Sequence, residues 1–596
     1  MAGLLHGPVP GSHARVQARS GSQVVPAVCS RLVAARGRTR ACASPASGGA
    51  AAPAKQPTSG SSGASYAPSR SGSGGASGNE SGSEGPSGSP LSSSFDYDGE
   101  LSRQGRPVWP RGSLTAVVLG GGETDSRRLF PLTQYRTLPP VPFGGPYRII
   151  DLLMSNLLNS GVNKIHILTA YNSYSLNRHL QRTYDMTCGV PYGGDGYIEV
   201  VAETPSPDSQ AWSNGTASCV RQFMSYFEGN TKNRFIEDVL ILPGDHVYSA
   251  DYTPIILSHR ATGADLTVVC RPVAGDQASR LGLVKLDSAA RISAFVEKPR
   301  PELLPALSMS DEEIRPFLRS SQQAEAFAAA AQQRQRPAAK GGARVGGGRG
   351  PRVVLDSQTS MDDPNPGPSF VGSTGIYIFR RQVLSDLLQS LPRARDFGRD
   401  IIPACIEQGF KVHAYRLPGY WADVGGCIGD YYTASMALLK DHPSVEFNAP
   451  ISSPFFKYPL TIPASAMRGA RLSRSLVSAG GIITDSRIEH SVLGPRCIIG
   501  PNVLVEDCVI MGADHYEHER PQAKPHSPSN PPIGIGEGSV LKGAIVDLNC
   551  RIGKNVTLVN KDGVFESNER AVQGIYIRDG IIVITRDAAV PDGTVL

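Results

Sequence analysis

Four short stretches of the 596-residue chain carry side chains that could handle phosphate and a divalent cation. Gly120-Gly121-Gly122 closes an apolar run and would expose backbone N–H groups able to hold a phosphate. It is neither a G-x-G-x-x-G nor a Walker A sequence, and three glycines can be just a turn. Arg128-Leu129-Phe130-Pro131-Leu132-Thr133, Arg136 and Pro139-Pro140-Val141-Pro142 follow it. Leu242-Pro243-Gly244-Asp245-His246 and Trp421-Ala422-Asp423-Val424-Gly425 each place an aspartate at a strand end. Two such carboxylates suit Mg²⁺, which completes its shell with water and phosphate oxygens. In Phe295-Val296-Glu297-Lys298-Pro299 the lysine could neutralise a sugar phosphate. Taken singly, each stretch also has a plain structural reading, such as a Pro-Gly-Asp turn.

These stations must be positioned by the elements between them. From 108 to about 445 short apolar runs alternate with helical or loop stretches: Leu114–Leu119, Lys164–Thr169, Ile198–Val201, Val239–Leu242, Asp265–Val269 and Ile376–Phe379. Ile150, Leu153, Met154, Leu157 and Leu158 repeat at helical spacing and Gly161 stops them. The alternation predicts an open α/β sheet with mainly parallel strands, whose ligands sit beyond the carboxyl ends. A low-complexity insertion, 301–368, interrupts this domain and reads as exposed and flexible; it has six basic residues and no acid between Glu325 and Asp356. From 446 to 596 apolar-Gly pairs recur, among them Leu493-Gly494, Ile499-Gly500, Ile535-Gly536 and Ile552-Gly553. That is the hexapeptide signature of a parallel β-helix, read here as a stacking and oligomerisation domain. His490 reads as a surface residue.

The formal charge of +6 is concentrated at the start: residues 1–79 hold seven arginines, one lysine and no acid, and the remainder is −2. The body therefore lacks the basic footprint of a nucleic-acid binder. Residues 1–107 read as a transit peptide followed by a disordered Ser/Gly-rich leader, with a plastid (chloroplast stroma or amyloplast) as the expected destination. No segment is long and apolar enough to span a bilayer, so neither nucleic acid nor membrane is an expected partner. The ten cysteines show no C-x-x-C and read as buried residues or free thiols.

In this order the stations resemble the sugar-1-phosphate nucleotidyltransferases, and among them the ADP-glucose pyrophosphorylases, over about 112–300 and 369–596. Tyr147-Arg148-Ile149-Ile150-Asp151, Asn214-Gly215-Thr216-Ala217, Asp396-Phe397-Gly398, Met511-Gly512-Ala513-Asp514 and the ending Asp592-Gly593-Thr594-Val595 carry the likeness. The resemblance implies a Rossmann-like nucleotidyltransferase domain with a mostly parallel sheet, then a left-handed parallel β-helix. It implies ATP and glucose 1-phosphate as substrates and Mg²⁺ as cofactor, held by Asp245 and Asp423. Glu297, Lys298 and Ser373 would bind glucose 1-phosphate. Gly120, Gly121, Gly122, Asn214, Gly215 and Thr216 would bind the nucleotide, and Arg128 with Asp245 would be catalytic. It further implies 3-phosphoglycerate and phosphate as effectors, with Arg136, Arg148 and Arg586 at matching basic positions.

The departures gather at the nucleotide end. The glycine turn runs two residues longer than the family's and adds Glu123 and Asp125. Leu138 stands where the family has a catalytic lysine, Ser218 where it has an aspartate, Asn214 where it has a glutamine, and Leu548 where an effector lysine is expected. These features resemble a large, regulatory subunit that joins a catalytic small subunit in a heterotetramer, with weak or absent turnover of its own. The alternatives are a catalytically silent regulatory or structural subunit, and a pyrophosphorylase for another nucleotide sugar.

Overall fold

The computed structural model describes residues 113–121, 128–169, 172–184, 196–202, 215–228, 235–310, 312–318, 370–443, 445, 447, 454–459, 461–517 and 526–596. The leader and the basic part of the insertion lie outside these residues.

Leu114–Leu119, Asp238–Pro243, Lys164–Thr169 and Tyr197–Ala202 are short apolar strands that pair in parallel. They form one flank of a nine-stranded sheet. Phe370–Arg380 runs antiparallel to Leu266–Val273 along one side, and to Gly282–Leu286 and then Asp238–Pro243 along the other. Val412–Arg416 joins Leu266–Val273 in parallel, and Ile292–Glu297 closes the far edge. Each expected strand is present, several of them longer than the apolar run alone indicated.

The expected helix is Ile149–Asn159. Its apolar residues all face protein, and its one acid, Asp151, is fully buried yet well satisfied. The carboxylate accepts the Arg148 backbone N–H (2.8 Å) and the Tyr184 hydroxyl (2.8 Å), and His179 Nε2 lies 2.6 Å away. A buried carboxylate with this many donors fixes the helix entry, because any rotation would strand a charge.

Residues 301–318 depart from the flexible insertion expected there. Pro301–Leu303 and Leu304–Leu307 are short helices, and Leu307, Met309, Ile314 and Phe317 are buried in the core. Their apolar spacing was obscured by the Ala/Gln-rich block that follows, and the rest of the insertion lies outside the described residues. The 445/446 boundary is also less sharp than expected. Val445 is buried, Phe447 stacks on Tyr147 at 4.4 Å, and the Phe456 N–H bonds Ser155 Oγ (2.9 Å).

The β-helix begins at Ala466–Arg468 and stacks rungs in three parallel sheets of six, five and six strands, the last closed by one antiparallel strand. Inward ladders such as Ile488–Val505–Leu541–Leu558 fill its interior. Tight corners fall on residues that tolerate a left-handed backbone: Asp485, His490, Asn502, Asp507, Asn549 and Asn555 all have φ between 38° and 62°. His490 is at such a corner, half-exposed, with Nδ1 2.6 Å from Asp507 Oδ1.

The two domains share a third apolar core. Leu129, Leu132, Leu138, Phe143 and Tyr431 meet Val509, Met511, Ile545, Leu548 and Tyr576 there. At its edge Arg136 and Asp547, both about 97 % removed from solvent, form an ion pair at 2.8 Å. Breaking a buried pair by removing one partner costs about 3–5 kcal/mol, whereas replacing both with apolar groups can be neutral. Asp547→Ala should therefore lower the unfolding free energy by that order, and Arg136→Met with Asp547→Leu should recover most of it; equilibrium denaturant unfolding of the single and double variants checks this.

Candidate active site

A cleft of about 200 Å³ opens at the carboxyl ends of Leu114–Leu119 and Asp238–Pro243, where the strand order changes direction. Its walls bring together Gly121, Arg128, Thr216, Asp245, Glu297, Lys298, Ser373 and Asp423 from six separate segments.

Asp245 follows its strand through Gly244, whose Cβ would fall 2.7 Å from Leu119 O, so only glycine allows that crossing. Asp423 ends Trp421–Asp423, which pairs antiparallel with His246–Tyr248 and sets the two aspartates side by side. Ligand atoms of Asp245, His246 and Asp423 lie within 4.8 Å of one another. Gly425 leaves room for this, since a Cβ there would sit 2.5 Å from Asp245 Oδ2. Two carboxylates open to a cleft fit a hard divalent cation such as Mg²⁺. Arg128 Nη1 donates to Asp245 Oδ2 at 3.4 Å, with its side chain still 42 % exposed. It can turn from carboxylate to phosphate at little cost.

At the other end, Glu297 is pressed between two glycines: Cβ atoms at Gly282 and Gly398 would come within 2.6 and 2.5 Å of its Oε2. Lys298 takes φ 48°, uncommon for a residue with a Cβ, and its N–H bonds Leu281 O (3.2 Å). Ser373 Oγ accepts the Gly375 N–H at 3.2 Å. Burial pushes the Glu297 carboxyl above the usual carboxylate range and Asp396 adds to this, while Lys298 and Arg399 pull the other way.

The wall expected to hold the nucleotide departs from expectation in two places, Gly120 and Gly215. The Gly120 N–H is already bonded to Leu168 O at 2.7 Å, so it extends the sheet and is not offered to a phosphate. Gly121 does line the cleft, with φ 94°. Gly122 and Asn214 lie outside the described residues. Gly215, at φ 147°, serves as a hinge packed on Arg395 O and does not line the cleft; Thr216 does, donating to Asp396 Oδ2 at 3.2 Å. Leu138 lines the wall as an apolar side chain, 1 % exposed.

Asp396, His246 and Arg280 also line the cleft, although the sequence stations gave them no role. Asp396 sat in a quoted motif and His246 beside a quoted aspartate; nothing in the sequence set Arg280 apart.

A second, larger cleft of about 710 Å³ lies at the domain seam. It contains Arg148 and Arg586 together with Arg178, Arg182 and Arg496, which sequence reasoning missed. Arg178 and Arg182 are one turn apart in the helix Tyr174–Thr183, a periodicity that could have found them. Arg586 Nη2 bonds Asp514 Oδ2 at 2.5 Å. Arg136 does not line this cleft. It is buried in the shared core, where Asp547 and Leu132 O accept from its guanidinium. Leu548 lines the cleft as an apolar residue.

This arrangement suits transfer between two phosphate-bearing substrates, with a cation beside the junction. Residues 115–441 match the family model described as Nucleotidyl transferase, and residues 461–595 match the GLGC left-handed parallel beta-helix domain. The chain belongs to the nucleotidyl transferase family. Joined to that β-helix, the transferase domain marks an ADP-glucose pyrophosphorylase-like protein. Among the described residues no helix is long and apolar enough to cross a membrane.

If the Glu297 carboxylate accepts sugar hydroxyls, binding should weaken as pH falls through its raised pKa, sooner than for an ordinary glutamate. A sugar phosphate titrates near about pH 6 itself, alike for both proteins, so the ratio of wild-type to Glu297→Gln affinity isolates the residue. That ratio should be about tenfold at pH 7 and fall toward one on acidification. Calorimetric titration with glucose 1-phosphate across pH 5–7.5 measures it.

Proposed function

We propose that this chain is the large, regulatory-type subunit of a plastid ADP-glucose pyrophosphorylase, with a nucleotide site too poor in positive charge for fast turnover. The reaction is ATP plus glucose 1-phosphate to ADP-glucose plus pyrophosphate. A phosphate oxygen of the sugar phosphate attacks the α-phosphorus of ATP in line, and pyrophosphate leaves. No covalent protein intermediate is needed, so positioning and charge neutralisation carry the rate. Glu297, Lys298 and Ser373 orient the sugar phosphate; Arg128 and the Gly121 backbone face the triphosphate. Mg²⁺ held by Asp245 and Asp423 would neutralise the phosphate oxygens at the junction.

The observation that carries this reading is Leu138. The sugar-phosphate end and the carboxylate pair are complete, while the wall beside the triphosphate is apolar. A single stabilising donor in the transition state is worth about 3–4 kcal/mol, or about 10²–10³ in rate. A large subunit that modulates a catalytic small-subunit partner in a heterotetramer can tolerate that loss. The arginine-lined seam cleft supports anionic effectors such as 3-phosphoglycerate and phosphate, and Leu548 supports an altered response. The first β-helix rung supports assembly: it exposes Met467, Leu472 and Leu476, and its strands pair along one edge only among the described residues. The acid-free residues 1–79 support the plastid address.

The test is Mg²⁺-dependent pyrophosphate release from ATP and glucose 1-phosphate, by the chain alone and with a catalytic small subunit, with and without 3-phosphoglycerate. Little turnover alone and a shifted activator response with the partner are expected. Substantial turnover alone would reject the impaired site. Leu138→Lys, whose stem can follow the apolar wall while the ammonium reaches the cleft, should raise kcat by about 10²-fold or more.

A further inference from the structure

Arg280 stands in the same cleft and has no part in the roles above. It ends the turn before Gly282–Leu286, where its N–H bonds Gln277 O (3.0 Å). Asp430, in the first turn of the helix Ile428–Met436, grips its guanidinium through Nη2. The seat is built to fit. A Cβ at Gly426 would lie 2.5 Å from Asp430 Oδ2 and 2.8 Å from Arg280 Nη2, so only glycine lets the pair rest on that backbone. The Cys427 thiol donates to the same Asp430 oxygen at 3.3 Å. Gly426 is also three residues beyond Asp423, so the pair rests on the same stretch of chain that carries that carboxylate.

The guanidinium remains open to a ligand. Its side chain is 54 % exposed, and among the described residues the Nη1 and Nε donors have no hydrogen-bond partner. Asp245, Glu297, Asp396 and Asp423 already place four carboxylates around this cleft, and each substrate adds phosphate charge. Among the described residues the basic side chains lining the cleft are Arg128, Lys298 and Arg280, and Arg128 is drawn onto Asp245. A planar guanidinium fork with two free edges suits phosphate oxygens.

We infer that Arg280 is a phosphate-binding residue of this cleft, donating to a phosphoryl oxygen of a substrate held beside Asp245 and Asp423. The inference rests on the adenylyl-transfer reading. The competing account is a surface ion pair that merely braces the Arg280 turn against the helix, an interaction of small worth.

Calorimetric binding of MgATP and of glucose 1-phosphate to the full chain separates the two, using Arg280→Ala, Arg280→Lys and Asp430→Asn. Arg280→Ala should weaken one of these ligands about tenfold or more, and which one identifies the triphosphate or the sugar phosphate as the source of the oxygen. Arg280→Lys should recover part of the loss. Asp430→Asn removes the brace and keeps the cation, so affinity should stay within about threefold of wild type. Unchanged binding of both ligands by Arg280→Ala, or an equal loss in Asp430→Asn, would overturn the inference alone. A wild-type chain that binds neither ligand would reject the adenylyl-transfer reading and the inference with it.

Discussion

Arg136 and Asp547 are held out of water at the seam between the transferase domain and the β-helix, and the rest of the architecture is arranged around keeping them there. The Asp547 carboxylate accepts from Arg136 Nη2 and from the Leu548 N–H, while Arg136 Nε is tied to Leu132 O. Neither charge has a route to solvent, so the domains cannot part without stranding both. The apolar residues around the pair make the seam a true core. Leu138 belongs to that core and also lines the cleft, so the same packing that joins the domains shapes that wall of it.

The seam therefore touches both clefts. On one side, Phe130 packs edge-on to Tyr576 at 5.4 Å, and Arg578 lies 5.5 Å over both rings. Arg128 is two residues before Phe130. On the other side, Arg148 and Arg586 face each other across the larger, basic cleft. Burial lowers the Arg148 pKa, with Asp151 acting in the opposite direction. An anion entering there would meet side chains whose backbone continues directly into the transferase helix Ile149–Asn159 and the strands that hold it. Packed side chains of the shared core thus lie between the two clefts.

Much of this was legible in the sequence because the signals are local. The strand Leu114–Leu119 and the helix Ile149–Asn159 announce themselves by apolar period, and the β-helix by its recurring apolar-Gly pairs. Asp245, Asp423, Glu297, Lys298 and Ser373 converge because each sits at or just past a strand end or at a bulge, Asp423 on the two-stranded ribbon that pairs it with His246. What the sequence hid depends on long-range packing. Arg136 looks like any basic residue until Asp547, 411 positions away, takes it into the core. Gly120 looks like a phosphate cradle until Leu168 O claims its N–H. Arg280 becomes distinctive only when the fold sets Asp430, 150 positions later, against it.

The central claim is that the cleft is a sugar-nucleotide site in which the sugar end is whole and the triphosphate wall is deficient. Crystals of the chain grown with ADP-glucose and Mg²⁺ test it most directly. The account predicts the glucose between Glu297, Lys298 and Ser373, with the diphosphate passing the Asp245 and Asp423 carboxylates toward Arg128. ADP-glucose bound elsewhere, or a cleft that excludes it at saturating concentration, would contradict the account.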